Sequence, residues 1–332
     1  MPGPSTHTGV HLAVDAGGTS TRAVVVRDDG TCLGYGRSGS GNPISAGPER
    51  AGEAVAAAAR DALDAAGLPA EEISSVVAAM AGADTRGPTD WLVQPLAHVG
   101  LPTDVAVEAD LLAAFLSGGV DDAGYALVAG TGAIAVRVRS GRLDGVADGL
   151  GWLLGDDGSG FWIGARVVRA ALAAVDGRRP PTALTQLVLD ELRLTPPEGT
   201  DPSGQSAAAI AITRELYRAL PVTLARFAPL AFAVEGDPTA DQIVAEAGAL
   251  LVRTLRAVLT PGVTGPLVLG GSVLAQQERL ATTVRAAWPT QDVRAVDDGV
   301  IGTAVLALRR AGVPVDAAVH ARIAATLAPL RG

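Results

Sequence analysis

Two short glycine-rich segments of this 332-residue chain have the composition of phosphate-binding turns. The first is Gly17-Gly18-Thr19, followed by Ser20, and the second is Gly130-Thr131-Gly132. Because glycine has no Cβ, backbone N–H groups in such turns can approach a polyphosphate closely, and the hydroxyls add further donors. Asp15 stands at the end of the strand pattern before the first turn. The repeated turn with a carboxylate beside it favours phosphate binding over two ordinary hairpins.

Each turn lies between two short segments of alternating apolar residues, HLAVDAGGTSTRAVVV at 11–26 and YALVAGTGAIAVRV at 125–138. Alternation with a period of two predicts a β-hairpin at each place. In Walker loops and dinucleotide folds the glycines open a helix, whereas no helical pattern follows either turn here. The sequence therefore predicts two hairpins that face each other and clamp a nucleotide between similar halves.

Strand and helix patterns follow both hairpins in a comparable order. The first half continues with a strand at 32–38, a helix at 46–68, strands at 75–82 and 104–110, and helices at 89–99 and 111–117. The second half has strands at 142–147, 266–273 and 292–296, an almost wholly helical stretch at 160–260, and final helices from Val300 and Val315. This order predicts two α/β domains across a cleft. They are residues 1–118, joined by the C-terminal helix 315–332, and residues 119–314, with a helical insertion at 160–260.

Composition excludes several classes of protein and site. A net charge of −9 and a pI near 5.0 argue against nucleic acid or an anionic membrane as the main partner. The single cysteine, Cys32, allows no internal disulfide and no cysteine-based metal cluster within one chain, and is interpreted as a small core residue. Neither a leader pattern nor a long apolar segment is found, so we expect no membrane partner and a cytoplasmic location.

The order of the motifs resembles the N-acetylglucosamine kinase type of sugar kinase. This is a BadF/BadG-like ATPase family in the superfamily of hexokinases, actin and the heat-shock chaperone ATPases. The resemblance covers essentially the whole chain and rests on DAGGTSTRAVV, VEADLLAAFLSG, VAGTGAIAV and LVLGGSV in that order. Sugar-side counterparts are SGSGNP at 38–43, MAGAD at 80–84 and GWLLGDDGSGFWIG at 151–164. It implies two facing ribonuclease H-like domains of the actin-like ATPase type, with ATP and Mg²⁺ as cofactors.

The resemblance also implies a role for each carboxylate. Asp110 would be the catalytic base and would also touch the sugar, although an Asp before a helix can simply be an N-cap. Asp15 would hold Mg²⁺ through water beneath the phosphates, the alternative being a turn-capping Asp. Asn42, Gly151 and Asp156 resemble sugar ligands, whereas the GDDGSG segment could also be a surface turn.

The remaining site residues follow from the same resemblance. Thr131 and Gly132 would contact both phosphate and sugar. Independently of the resemblance, Trp152, Phe161 and Trp162 around the acidic turn indicate a lined pocket, because aromatics make up only 3% of the chain, although each could also be a core residue. Asp297 and Asp298 are interpreted as helix caps, and no histidine is given a role. The residues expected to bind ATP are Gly17, Gly18, Thr19, Ser20, Gly130, Thr131, Gly132, Gly270, Gly271 and Ser272.

The implied activity is transfer of the γ-phosphate of ATP to the 6-hydroxyl of N-acetylglucosamine, by an expected homodimer. The chain departs from the family pattern at Ala109, Ala133 and Asp148-Gly149-Leu150-Gly151, so glucosamine stays an open alternative. Activator-type ATPases hold an iron–sulfur cluster through cysteines, and Cys32 is unaccompanied, so an iron–sulfur-free ATPase of the activator type ranks behind the sugar kinases. Kinase-related repressors need an N-terminal helix-turn-helix, for which the residues before the first strand leave no room, and an actin-like filament protein would not need the sugar-side loops.

Overall fold

The computed structural model describes residues 9–82, 89–196, 198–288 and 292–332. Ala83 and Asp84 of the MAGAD motif therefore lie outside the described residues. The strands are β1 (Val10–Ala16), β2 (Thr21–Arg27), β3 (Cys32–Ser38), β4 (Ser75–Met80), β5 (Val105–Ala109), β6 (Gly124–Ala129), β7 (Ala133–Arg139), β8 (Arg142–Asp148), β9 (Leu267–Gly270) and β10 (Val293–Ala295).

Helices cover both sheets, and the described residues also form 3₁₀ segments at Ala70–Glu72, Pro221–Phe232 and Ala328–Arg331. The α-helices are α1 (Pro43–Ala46), α2 (Pro48–Ala66), α3 (Asp90–His98), α4 (Asp110–Ser117), α5 (Gly160–Val175), α6 (Leu184–Glu191), α7 (Ala207–Leu216), α8 (Pro238–Val258), α9 (Ser272–Gln276), α10 (Glu278–Ala286), α11 (Val300–Arg310) and α12 (Ala317–Leu327). No helix within the described ranges is long and apolar enough to cross a membrane.

The first sheet has the strand order β3-β2-β1-β4-β5, in which β1–β2 and β2–β3 are antiparallel and β1–β4 and β4–β5 are parallel. Successive side chains of a strand point to opposite faces. Accordingly Leu12 and Val14 pack in one core cluster with α2 and α3, while Ala13 packs in another with α4 and α11. Both faces of the sheet are thus buried.

The second sheet repeats this arrangement with the order β10-β9-β6-β7-β8. Its hairpin strands β6 and β7 are antiparallel, and β6–β9 and β9–β10 are parallel. Both predicted hairpins, β1–β2 and β6–β7, are therefore present. Since each sheet starts from an equivalent hairpin, the two glycine-rich turns occupy equivalent positions in the two halves.

The helical insertion covers one face of the second sheet. Helices α5, α6 and α8, with the 3₁₀ segment Pro221–Phe232, bury their apolar faces in one core cluster against β6, β7 and β9. Phe227 of the 3₁₀ segment is fully buried there. This packing places the insertion directly beside the second glycine-rich turn.

The last two helices return to the first sheet. Helix α11 packs against α4 and β1, and α12 packs against β3. The sequence interpretation joined only the helix from Val315 to the first domain. The domain division stays a prediction. The contacts of α11 with α4 and β1 indicate that the chain returns to the first domain before Val300, and not only at Val315.

Candidate functional site

The first glycine-rich turn directly follows β1, whose last buried residues include Asp15. Gly17 N–H donates to the Ser20 carbonyl over 3.0 Å, which closes the turn and leaves Gly18 and Thr19 exposed at its tip. Gly41 N–H in turn donates to the Gly17 carbonyl over 3.2 Å. The loop that precedes Asn42 is therefore attached to the phosphate turn, so the predicted sugar and phosphate residues of this half lie side by side.

Asp15 is 6% exposed and does not cap its own turn. Its Oδ2 accepts from Gly299 N–H over 3.1 Å and lies 3.6 Å from an Arg22 guanidinium nitrogen. Burial and the neighbouring carboxylates of Asp298 and Asp110 raise the pKa of Asp15 to about 7, although Arg22 opposes the shift. A carboxylate that is destabilised in this way favours the approach of a cation.

Asp298 and Arg22 are parts of this centre that the sequence interpretation did not assign to it. As expected for a capping residue, Asp298 contacts the start of α11, where its Oδ1 accepts a hydrogen bond from Val300 N–H over 3.2 Å. It also pairs with Arg22 over 3.1 Å and with Arg331 over 2.8 Å. Asp298 is therefore more than a helix cap: together with Arg22 it connects Asp15 to the C-terminal segment.

The donor set around Asp15 fits Mg²⁺ held largely through water. Mg²⁺ prefers oxygen ligands and is usually bound by one or two carboxylates plus substrate phosphates and water. Among the described residues, no group of three or more His, Cys, Asp or Glu side chains could hold a metal ion directly. A Cβ at Gly299 would lie 2.8 Å from Asp15 Oδ1, so glycine at this position allows the backbone to approach the carboxylate closely enough to donate its N–H. The Mg²⁺ role of Asp15 stays a prediction.

Asp110 lies where β5 ends and α4 begins. The N-cap of α4 is Ala109, which makes no side-chain cap, and Asp110 is the first residue of the helix. The structure therefore does not support the alternative that Asp110 is the N-cap of α4. Burial raises the pKa of Asp110 to about 6, against backbone hydrogen bonds from Leu111 and its own N–H that lower it. At neutral pH this carboxyl is mostly ionised and can accept a proton.

The second glycine-rich turn rests on the start of α5. Gly130 N–H donates to the Gly132 carbonyl over 2.9 Å, and the carbonyls of Gly130 and Thr131 accept from Gly160 and Phe161 N–H over 2.8 and 3.1 Å. A Cβ on Gly130 would stand 3.6 Å from the Ser272 hydroxyl oxygen. The two segments expected to bind ATP in this half are thus adjacent.

Asp156 lies against the same turn. It has a φ of 59° and is 8% exposed, and its Oδ1 accepts from Ala133 N–H over 3.1 Å. Burial is the main cause of its raised pKa. The Asp148 carboxylate holds this loop, because its two oxygens accept from Asp156 and Asp157 N–H over 2.7 and 2.9 Å. The acidic segment is therefore a turn whose Asp156 carboxylate faces the phosphate turn.

A pocket beside Gly130, Thr131 and Ser272 is the candidate adenosine site. Its other wall comes from the insertion and from α9, namely Ala225, Ala228, Pro229, Phe232, Val273, Gln276 and Gln277. Gly271 has a φ of 85°, and a Cβ there would lie 2.5 Å from the Ala129 carbonyl oxygen. Only glycine allows this close approach of the β9 turn to the end of β6. The sequence interpretation found the glycines but not the residues from the insertion.

The sugar-side residues are divided between the two halves. Asn42 caps α1, since its Oδ1 accepts from Ile44 N–H over 2.8 Å and from Ser45 N–H over 3.3 Å. Gly151 begins the turn 151–155 that precedes Asp156. Contact of these residues with a sugar stays a prediction.

Only two of the three aromatic residues expected around the acidic turn lie together. The rings of Trp152 and Phe161 have centroids 5.6 Å apart at an interplanar angle of 54°. Trp162 packs on the core of the second half instead, with the Arg166 guanidinium 4.4 Å from its ring centroid. The physical reason is the helical register of α5, which turns adjacent residues to different faces.

Comparisons with known proteins agree with this arrangement. The BadF/BadG/BcrA/BcrD ATPase family matches residues 12–307. The glucosamine kinase GspK of Vibrio cholerae is 29% identical over 282 residues, which cover 83% of this chain and 89% of the relative. An N-acetyl-D-glucosamine kinase of Dictyostelium discoideum is 28% identical over 269 residues, covering 75% of this chain and 79% of the relative.

Solved structures show the same fold. A Chromobacterium violaceum protein described provisionally as an N-acetylglucosamine kinase superposes with a TM-score of 0.70 and 26% identity, covering 90% of this chain and 99% of its own. A ROK family glucokinase from Streptomyces griseus gives a TM-score of 0.53 at 21% identity, covering 91% and 100%. With the two mixed sheets, these neighbours confirm the predicted actin-like ATPase fold class.

Proposed function

We propose that this chain, which belongs to the BadF/BadG/BcrA/BcrD ATPase family, is an ATP-dependent kinase that phosphorylates the 6-hydroxyl of N-acetylglucosamine. The predicted family is confirmed, and membership of an ATPase family implies the use of ATP. The observation that carries the proposal is the position of Asp110, which directly follows the parallel strand β5 and is near enough to Asp15, beside the first phosphate turn, to raise the pKa of Asp15. This is where phosphoryl transfer to an alcohol requires a base.

Each part of the site has a task in this reaction. Asp110 would accept the proton of the sugar 6-hydroxyl as its oxygen attacks the γ-phosphorus, and the bond to the β-phosphate oxygen breaks to release ADP. The backbone N–H groups of both glycine-rich turns would hold the phosphates, while Asn42 and Asp156 would orient the sugar. Mg²⁺, when bound near Asp15, would neutralise charge on the phosphate oxygens.

Glucosamine is the second candidate substrate, because a relative of similar identity is a glucosamine kinase. A protonated 2-amino group would need a carboxylate partner. Asp148 lies in the segment 148–151, where the chain departs from the family pattern, and its carboxylate is the candidate partner. Both of its oxygens, however, already accept hydrogen bonds from backbone N–H groups. This engagement favours the acetylated sugar as the preferred substrate.

A coupled assay of ADP release tests both the reaction and the acceptor. We expect turnover with N-acetylglucosamine and a lower kcat/KM with glucosamine. With 6-deoxy-N-acetylglucosamine, ADP release should be no faster than the release from ATP in the absence of any sugar. The 6-deoxy sugar should still compete with the substrate, because only the reacting hydroxyl is missing. Sustained ADP release with the 6-deoxy sugar would contradict transfer to the 6-hydroxyl, and a higher kcat/KM for glucosamine would make it the preferred substrate.

The homodimer and the cytoplasmic location remain predictions of the sequence. Light scattering coupled to size exclusion gives the mass of the particle against the chain mass of 33.3 kDa. A mass near twice this value supports the dimer, and a mass near the chain value contradicts it.

A further inference from the structure

A cavity of about 320 Å³ lies in the second half and shares no lining residue with the candidate adenosine pocket. It is formed by the outer face of α5, the turn that follows α5, and the first half of α8. Its volume falls in the range of small-molecule sites in proteins. No function assigned above uses it.

The lining of this cavity is strongly basic in an acidic protein. Arg166, Arg169, Arg178 and Arg179 all contribute to it, against the single carboxylate of Glu246, while the whole chain has a net charge of −9. Like charges held close together repel one another, so such a cluster is stabilised by an anion.

Two of the four guanidinium groups have no carboxylate partner among the described residues. Arg166 pairs with Glu246 over 3.3 Å, and Arg178 pairs with Asp176 over 2.7 Å. Arg169 and Arg179 line the same cavity without such a pair within the described part of the chain. Guanidinium forks match the oxygens of a phosphate and bind it by paired hydrogen bonds. These two arginines are therefore the best-placed donors for a phosphate group.

The rest of the lining suits a compact polyhydroxyl body. Ala170, Ala173 and Ile243 form an apolar wall, and Thr239, Gln242 and Glu246 supply polar atoms on α8. A sugar ring presents apolar C–H faces and hydroxyl groups at its rim, so it can use both kinds of surface. We propose that this cavity is a second binding site for a small phosphorylated sugar, with its phosphate on Arg169 and Arg179.

Isothermal titration calorimetry on three proteins tests the site. The probes are N-acetylglucosamine 6-phosphate, inorganic phosphate and unphosphorylated N-acetylglucosamine. The proteins are the wild type, the double variant Arg169→Gln/Arg179→Gln, and the control Arg214→Gln/Arg256→Gln. The control removes the same charge from two exposed helical arginines outside the cavity. Circular dichroism verifies that all three are folded.

We expect the wild type and the control to bind the sugar phosphate alike, and the Arg169/Arg179 variant to bind it at least ~10-fold more weakly, because two charge-assisted bonds are lost. Equal affinity in all three proteins, or no binding to the wild type, overturns the proposal. Equal affinity of the wild type for inorganic phosphate and the sugar phosphate overturns the sugar part of it. If the chain is the proposed kinase, its active site also binds this product, but the Arg169/Arg179 substitutions leave that site unchanged, so only the loss of binding in this variant reports on the cavity.

Discussion

At the scale of single residues, the protonation of Asp110 should govern activity. Its pKa is raised to about 6 by burial, and a base must be unprotonated to act. We expect kcat/KM for the sugar to rise with pH through about 6 and to level off above it. Asp110→Asn keeps the volume but removes the base, so kcat at pH 8 should fall by roughly 10²–10⁴-fold while ATP affinity changes little. Steady-state kinetics with the wild type as reference checks this, and near-wild-type turnover would disprove the role.

The same burial should affect stability with a definite sign. Because the folded-state pKa of Asp110 lies above its ordinary value of 3.8, ionisation destabilises the fold, fully so above about pH 6. Asp110→Asn should therefore be more stable than the wild type by up to about 3 kcal/mol at pH 8, with a difference that shrinks towards pH 4. Urea unfolding at both pH values measures it. A variant that is less stable at pH 8 would show that Asp110 has a structural partner instead.

The sequence predicted individual carboxylates better than the groups they contact. Asp15 and Asp110 stand at strand ends, a position that alternation and motif order reveal. Arg22 faces Asp15 in the β1–β2 register, but its second partner, Asp298, comes from the far end of the chain. No local pattern contains such a pair, because only the return of the chain to the first sheet creates it.

At the scale of elements, the second phosphate turn depends on its glycines. A Cβ on Gly132 would lie 2.8 Å from an Asp156 carboxylate oxygen, whereas a Cβ on Gly204, outside the site, would meet nothing within 4 Å. Gly132→Ala should push Asp156 away and lower kcat/KM for the sugar by at least ~10-fold, because small displacements in a site are costly. Gly204→Ala, in an exposed loop outside the candidate site, is the control and should stay within about twofold. Equal losses in both variants would contradict this account.

The sequence predicted the types of the elements better than it predicted which elements contact the site. The hairpins were predicted because alternation of apolar residues fixes a strand period. The insertion was predicted as helical, yet its contribution to the pocket was not, because Phe232 and Ala225 reach that pocket only through the packing of Pro221–Phe232 on α5. The residue types of this segment are those of an ordinary core helix, so the sequence gives no sign that the segment lines a pocket.

At the scale of the whole molecule, the site residues are divided between two halves that ligands should draw together. Asp15, Asp110 and Asn42 belong with the first sheet, whereas Thr131, Asp156 and Ser272 belong with the second. Sugar with a non-hydrolysable ATP analogue should therefore reduce the radius of gyration measured by small-angle X-ray scattering. An unchanged radius, with binding verified by calorimetry, would argue against closure.

The C-terminal segment should protect the first sheet. Cys32 is 6% exposed, and its N–H donates to Thr326 Oγ1 over 2.9 Å. Burial raises the pKa of its thiol to about 11, so the full chain should react slowly with a thiol reagent at pH 8. Removal of residues 315–332 should speed this reaction at least ~10-fold. The same rate in both chains would show that α12 does not cover Cys32 in solution.

The return of α11 and α12 to the first sheet also bears on the order in which a nascent chain acquires its structure. Translation delivers β1 before the second sheet, whereas α11 and α12, which pack on the sheet of β1, follow β10 in the chain. The second sheet and the insertion are complete once β10 has been made. We therefore expect the second sheet to reach its final packing before the first sheet, whose packing is complete only after α11 and α12 have left the ribosome.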